Sequence, residues 1–231
     1  MLVKEIMTPH PVVAEPDMPV TRAERLMKES NIRHLPVIRE GEGLVGLITR
    51  ETLSRALPSE MSTLTIWELN YQLSRIKVKE VMVKKVISVT EDLTVEQAAR
   101  IMIDNKIGSL PVMRDGDPST ALRRSSGQGS GQVLVGIVTD IDLLGALANL
   151  MGWRQPGVRV TMQVPDEKGR LAKVATAIAD AGGLLVGGGS YPAAEPLKAN
   201  IVFKVRNVSL DDLVTVLEGL EEVKILDIRE A

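Results

Sequence analysis

A doubled pattern occupies the first two thirds of the chain and limits its fold more than any other feature. Val3-Lys4-Glu5-Ile6-Met7 returns as Val78-Lys79-Glu80-Val81-Met82, about 75 residues later. The same displacement carries Ile32-Arg33-His34-Leu35-Pro36-Val37 onto Ile107-Gly108-Ser109-Leu110-Pro111-Val112. It also carries Val20, Ala23 and Met27 onto Val95, Ala98 and Met102. After an insertion, Gly46-Leu47-Ile48-Thr49 returns as Gly136-Ile137-Val138-Thr139. The unit is therefore a supersecondary element built twice.

Each copy has the same element order. A short strand (Val12 to Ala14; Val86 to Val89) precedes a helix with apolar residues at helical spacing. Two strands then form a hairpin, Leu35 to Arg39 with Leu44 to Ile48, and Leu110 to Arg114 with Val133 to Val138. A second helix opens at Thr49 or Thr139, giving β-α-β-β-α. Hairpin geometry sets Gly108-Ser109 beside Thr139 and sends the Ser/Gly-rich insertion, 117–132, out from the opposite end. Between the copies, Ser62 to Ile76 reads as an amphipathic helix, with Trp67 and Tyr71 at i and i+4 as packing residues.

Composition excludes several function classes. With no cysteine, disulfides, thiolate nucleophiles and Cys-based zinc sites are ruled out. A net charge of −2 and 2% aromatic residues speak against a nucleic-acid partner. No apolar run is long enough to span a membrane, and Met1 to Glu5 does not read as a signal peptide, so a cytoplasmic protein is expected. No nucleophile–base pair, metal-ligand cluster or phosphate-binding P-loop is visible, and His10 has no histidine or cysteine nearby. A non-enzyme is expected.

Chemistry concentrates at Gly136-Ile137-Val138-Thr139-Asp140-Ile141-Asp142, where a strand gives way to a helix. One reading is a capping box, with Thr139 at the N-cap and Asp142 at N3. The other uses the same geometry for a ligand: Thr139 and the helix amides for phosphate, and the Asp142 carboxylate for a ribose diol. Lys106 would then supply a countercharge, Ile87 and Val89 an aliphatic wall for a base, and the backbone at Gly108 and Ser109 its polar edge. The first copy reads Thr49-Arg50-Glu51-Thr52, with threonine in place of the carboxylate. With Arg33 and His34, these residues form a second, weaker site.

Two β-α-β-β-α units, each with an apolar-Leu-Pro-Val strand and an ending of the form Gly-apolar-apolar-Thr, the second continuing to Asp142, resemble a CBS-domain pair (a Bateman module). The resemblance covers roughly residues 1–150: repeat one at 1–60, a helical linker at 61–77 and repeat two at 78–151. It implies an adenosine ligand such as AMP, ADP, ATP or S-adenosylmethionine. The family's phosphate-contacting hydroxyl falls on Thr139, its ribose carboxylate on Asp142 and its basic phosphate contact on Lys106.

A linker at 152–157 leads into a different pattern. Val158, Val160, Met162 and Val164 alternate; Leu171, Val174, Ala175 and Ile178 keep helical spacing; two strand candidates follow. Ser209-Leu210-Asp211-Asp212 opens a further helix, and Val223 to Ile228 alternates again. The order is ferredoxin-like, β-α-β-β-α-β. With Asp166, Gly169 and Arg170 at the first strand–helix turn, residues 158–231 resemble an ACT domain, which implies a small-ligand or dimer site there. Gly187-Gly188-Gly189 reads as a bulge or close backbone approach. The whole arrangement, a mixed α+β fold, resembles the acetoin-utilisation AcuB family. That likeness implies a homodimer acting on a partner protein in carbon or acetyl-group metabolism. The alternative is a ligand-independent dimerisation scaffold.

Overall fold

The computed structural model describes residues 1–56, 75–115 and 132–231. They divide into two units, Met1–Leu143 and Leu144–Ala231, each with its own core.

In the first unit the order is α1 (Val3–Ile6), β1 (Thr8–Pro9), α2 (Val20–Glu29), β2 (His34–Arg39), β3 (Gly43–Thr49) and α3 (Arg50–Ala56), then α4 (Val78–Val81), β4 (Val89–Thr90), α5 (Val95–Asn105), β5 (Ser109–Asp115), β6 (Gln132–Thr139) and the start of α6 (Asp140–Leu150). Apolar spacing works as expected: Val20, Ala23 and Met27 on α2, and Ala98 and Met102 on α5, are buried. Thr94 caps α5, its hydroxyl accepting from the Gln97 amide while the Gln97 side chain accepts from the Thr94 amide.

The strand expected over Val12 to Ala14 is reduced to a single parallel bridge, Ala14 to Val37. In repeat two, pairing begins only at Val89, against Val112. The residues before these bridges are drawn instead to the other repeat. The expected helix with Trp67 and Tyr71 lies, apart from its last two residues, outside the described residues, as does the insertion before Gln132.

The two repeats exchange their first elements. β1 pairs antiparallel with β6, Thr8 opposite Ile137, and Val83 bridges Leu47 in the equivalent place. Val3 is fully buried in the core of repeat two, with Val89, Leu110, Val112 and Val138; Val78 is fully buried in the core of repeat one, with Leu35, Val37 and Ile48. Backbone bonds fix the exchange, Val3 N–H to Leu93 O and Val78 N–H to Met18 O. Ion pairs repeat it at the surface, Lys4 to Asp92 at 2.7 Å and Lys79 to Asp17 at 2.6 Å.

This exchange explains the glycine of each Gly-apolar-apolar-Thr segment. A Cβ at Gly46 would collide with Met82, and one at Gly136 with Met7. The methionine that ends each Val-Lys-Glu segment thus crosses the opposite repeat's third strand where no side chain stands.

The second unit runs β7 (Val158–Pro165), α7 (Arg170–Asp180), β8 (Leu184–Pro192), β9 (Lys198–Arg206), α8 (Leu210–Glu218) and β10 (Lys224–Glu230). Its antiparallel sheet has the order β10-β7-β9-β8. Val158, Val160, Met162 and Val164 are buried against Val174, Ile178, Leu213 and Leu217 of the two helices. The triple glycine sits at a register shift in β8: a Cβ at Gly187 would strike the backbone of Met151 and Gly152, and Gly188, at φ 148°, lies against Val202 O and Phe203. Both units are mixed α+β.

Candidate functional site

The strand exchange creates two grooves at the strand–helix junctions of the first unit. Because β1 runs along β6, with His10 N–H bonded to Val135 O, the chain after it passes the start of α6. The groove at Thr139 and Asp142 is therefore walled by repeat-one residues: His10, Pro11, Val12, Asn31 and Ile32. Its volume is about 410 Å³. The groove at Thr49 and Thr52, about 470 Å³, takes its wall from repeat two: Lys85, Val86, Ile87, Lys106, Gly108 and Ser109. Arg33 and His34 border both.

The residues expected around Thr139 and Asp142 are thus distributed differently. The register does set Ser109 opposite Thr139, and the Asp140 amide donates to Gly108 O. Yet Lys106, Ile87, Gly108 and Ser109 line the Thr49–Thr52 groove, which also holds Arg33, His34 and Arg50. Val89 lines neither; it is 7% exposed, in the core of repeat two. Val12 and Ile32 occupy beside Asp142 the places that Ile87 and Ile107 occupy beside Thr52. The repeat contained this signal, since each pair is related by the same displacement.

At the second junction, Asp142 Oδ2 accepts from both the amide and the hydroxyl of Thr139, each at 2.8 Å. Among the described residues nothing donates to Oδ1, so half of the carboxylate remains free on a half-buried wall. At the first junction the Thr52 hydroxyl is engaged both as donor and as acceptor. It accepts from the Thr49 amide at 2.9 Å and donates to the Thr49 carbonyl at 2.9 Å.

Between the grooves, Arg33 approaches Asp140 at 3.8 Å, and Gly108 leaves His34 and Asp140 close together. Burial pushes the His34 imidazole below its usual range; Asp140 opposes the shift and Arg33 adds to it. The Ser109 hydroxyl is buried and has no partner among the described residues. No cluster of three or more His, Asp or Glu among the described residues is placed to hold a metal ion. No helix among them is long and apolar enough to cross a membrane.

In the second unit, Asp166 donates its amide to Leu197 O, and Gly169, at φ 82°, precedes α7 in a conformation suited to glycine. Arg170 is 12% exposed in its side chain and held internally: it donates to Glu221 O at 2.9 Å and to Glu222 Oε2 at 2.7 Å, with Glu167 at 3.6 Å.

The family description "CBS domain" matches residues 3–59 and 78–119, once in each repeat. The uncharacterized protein MJ1426 of Methanocaldococcus jannaschii is 32% identical over 169 residues, covering 64% of this chain and 91% of MJ1426. The chain belongs to the CBS-domain family. Its first unit is a tandem CBS pair, and the two grooves are the clefts between the CBS repeats. The L-aspartate semialdehyde sulfurtransferase of the same organism is 30% identical over 114 residues, 49% of this chain; the CBS protein spans only 20% of that enzyme. Among solved structures, the CBS domain pair of protein MJ0100, in complex with 5'-methylthioadenosine and S-adenosyl-L-methionine, is 27% identical. It covers 67% of this chain and 98% of its own, at a TM-score of 0.48.

Proposed function

We propose that this CBS-domain protein is a non-catalytic regulator that binds an adenosine-containing ligand in the Thr139–Asp142 groove. The observation that carries the reading is the free oxygen of Asp142. A capping box needs one carboxylate oxygen, and Thr139 occupies Oδ2 alone, leaving Oδ1 to accept from a ribose diol. The Val12 and Ile32 side chains give a base an aliphatic wall, Arg33 borders the groove as the cation for a phosphate, and the Thr139 hydroxyl, donating to Asp142 Oδ2, holds the carboxylate in place. AMP, ADP, ATP and S-adenosylmethionine all fit this description, and Asp142, Thr139, Val12 and Arg33 are the residues assigned to them.

The βαββαβ order of the second unit and its glycine-led first turn support an ACT domain over 158–231, where Asp166, Gly169 and Arg170 shape a ligand or dimer turn. With the CBS pair, this supports the AcuB-like reading: a cytoplasmic homodimer whose liganded state is felt by a partner protein in acetyl-group metabolism.

Thermal unfolding tests the reading. A ligand that binds only the folded chain raises the midpoint in proportion to the logarithm of its concentration. One adenosine compound should shift the wild type and fail to shift Asp142→Ala. A capping role alone, as in a ligand-independent scaffold, predicts a lower midpoint for Asp142→Ala and no ligand response in either protein.

A further inference from the structure

At four equivalent positions the Thr49–Thr52 groove carries the more positive residue, while Glu51 for Ile141 and Gly108 for Arg33 run the other way. Lys85 stands where the other groove has His10, and Lys106 where it has Asn31. Arg50 takes the place of Asp140, and Thr52 that of Asp142. The Thr49–Thr52 groove is thus bordered by Arg33, Arg50, Arg55, Lys85 and Lys106 against two carboxylates, Glu51 and Asp140. Glu51 is taken by Arg55 at 2.5 Å. Arg50, Lys85 and Lys106 form no ion pair among the described residues. Three uncompensated cations around one concavity focus a positive field and invite a polyanion.

The groove cannot read a ribose as its counterpart can. The hydroxyl of Thr52 is spent on the Thr49 amide and carbonyl, and no carboxylate replaces it. A further feature points to an acceptor-rich ligand: Ser109, 3% exposed and lining this groove, has a hydroxyl without a partner. A buried donor left unmade is costly, and a phosphoryl oxygen would satisfy it.

We infer that the Thr49–Thr52 groove is a polyphosphate site, one that takes a chain of two or three linked phosphates and is indifferent to any nucleoside attached. It shares with the adenosine reading only the premise that the clefts of the CBS pair bind ligands. The chain could arrive free or as the tail of a nucleotide, and the two sources are separable by experiment.

The test is calorimetric titration of the full chain at constant ionic strength, without divalent cations. Sodium tripolyphosphate, ATP, GTP and AMP are compared in wild type, Arg50→Gln/Lys106→Gln and Asp142→Ala. Tripolyphosphate should bind at one equivalent, weaken by about tenfold or more in the double variant, and be unchanged in Asp142→Ala. ATP and GTP should compete for this site equally. A competing tail that binds no tighter than tripolyphosphate identifies the free chain as sufficient. The inference is overturned if tripolyphosphate does not bind, if the double variant binds it as wild type does, or if ATP occupies the site while GTP is refused. AMP separates the two readings: its binding, lost in Asp142→Ala and kept in the double variant, reports on the adenosine groove alone.

Discussion

Thr52 and Asp142 occupy the same position in two copies of one motif, yet their free valences differ. Asp142 offers an oxygen that its cap does not need, whereas Thr52 has spent its hydroxyl on Thr49. Thr52→Asp should therefore supply the missing diol acceptor. Calorimetry is expected to show a second equivalent of the adenosine ligand in that variant, with tripolyphosphate weakened by the added charge. Thr139→Ala removes both a cap and the hydroxyl that holds the Asp142 carboxylate; it should cost about 1 kcal/mol of stability in denaturant unfolding and weaken nucleotide binding through Asp142 as well. His34 carries a pH dependence. Its folded value is depressed by burial, so the unfolded chain binds more protons just below the usual imidazole range. Stability should fall as the pH drops through the usual imidazole range and level off below the depressed folded value, and His34→Gln should flatten that slope.

At the scale of elements, the four-residue helices α1 and α4 have an effect out of proportion to their length. Too short to be stable alone, each exists because its valine fills the opposite repeat's core. Val3→Ala removes two methyl groups from a fully buried position, a loss of about 2 kcal/mol. Hydrogen exchange should show the loosening in α5 and β5, the partners of Val3, before α2 and β2, although Val3 is nearer in sequence to the latter. Protection lost first in α2 would contradict the exchange. The same crossing accounts for the glycine before each apolar-apolar-Thr run, where Met7 and Met82 need the space.

For the whole molecule, the exchange makes the two repeats one folding unit. A fragment of residues 1–77 lacks Val78 and its backbone bond to Met18, so its core stays open. It should show little cooperative unfolding by circular dichroism, whereas the pair should unfold in a single transition. The second unit has a core of its own and owes its topology to alternation and helical spacing within itself. Most of these elements were legible in the chain. Val20, Ala23 and Met27 announce their helix by period, Val158 to Val164 their strand by alternation, and Thr139 and Asp142 their cap by spacing, because such patterns are set by local geometry. The triple glycine likewise declared a close approach, which Met151 and Gly152 make. What the chain alone left open was partnership. A repeat supplies two equivalent docking places for every element, and a strand satisfies its backbone equally well in its own copy or in the other. Val12 beside Asp142, and Ile87 beside Thr52, follow from the crossed choice, which packing at Met7 against Gly136 and Met82 against Gly46 decided in three dimensions.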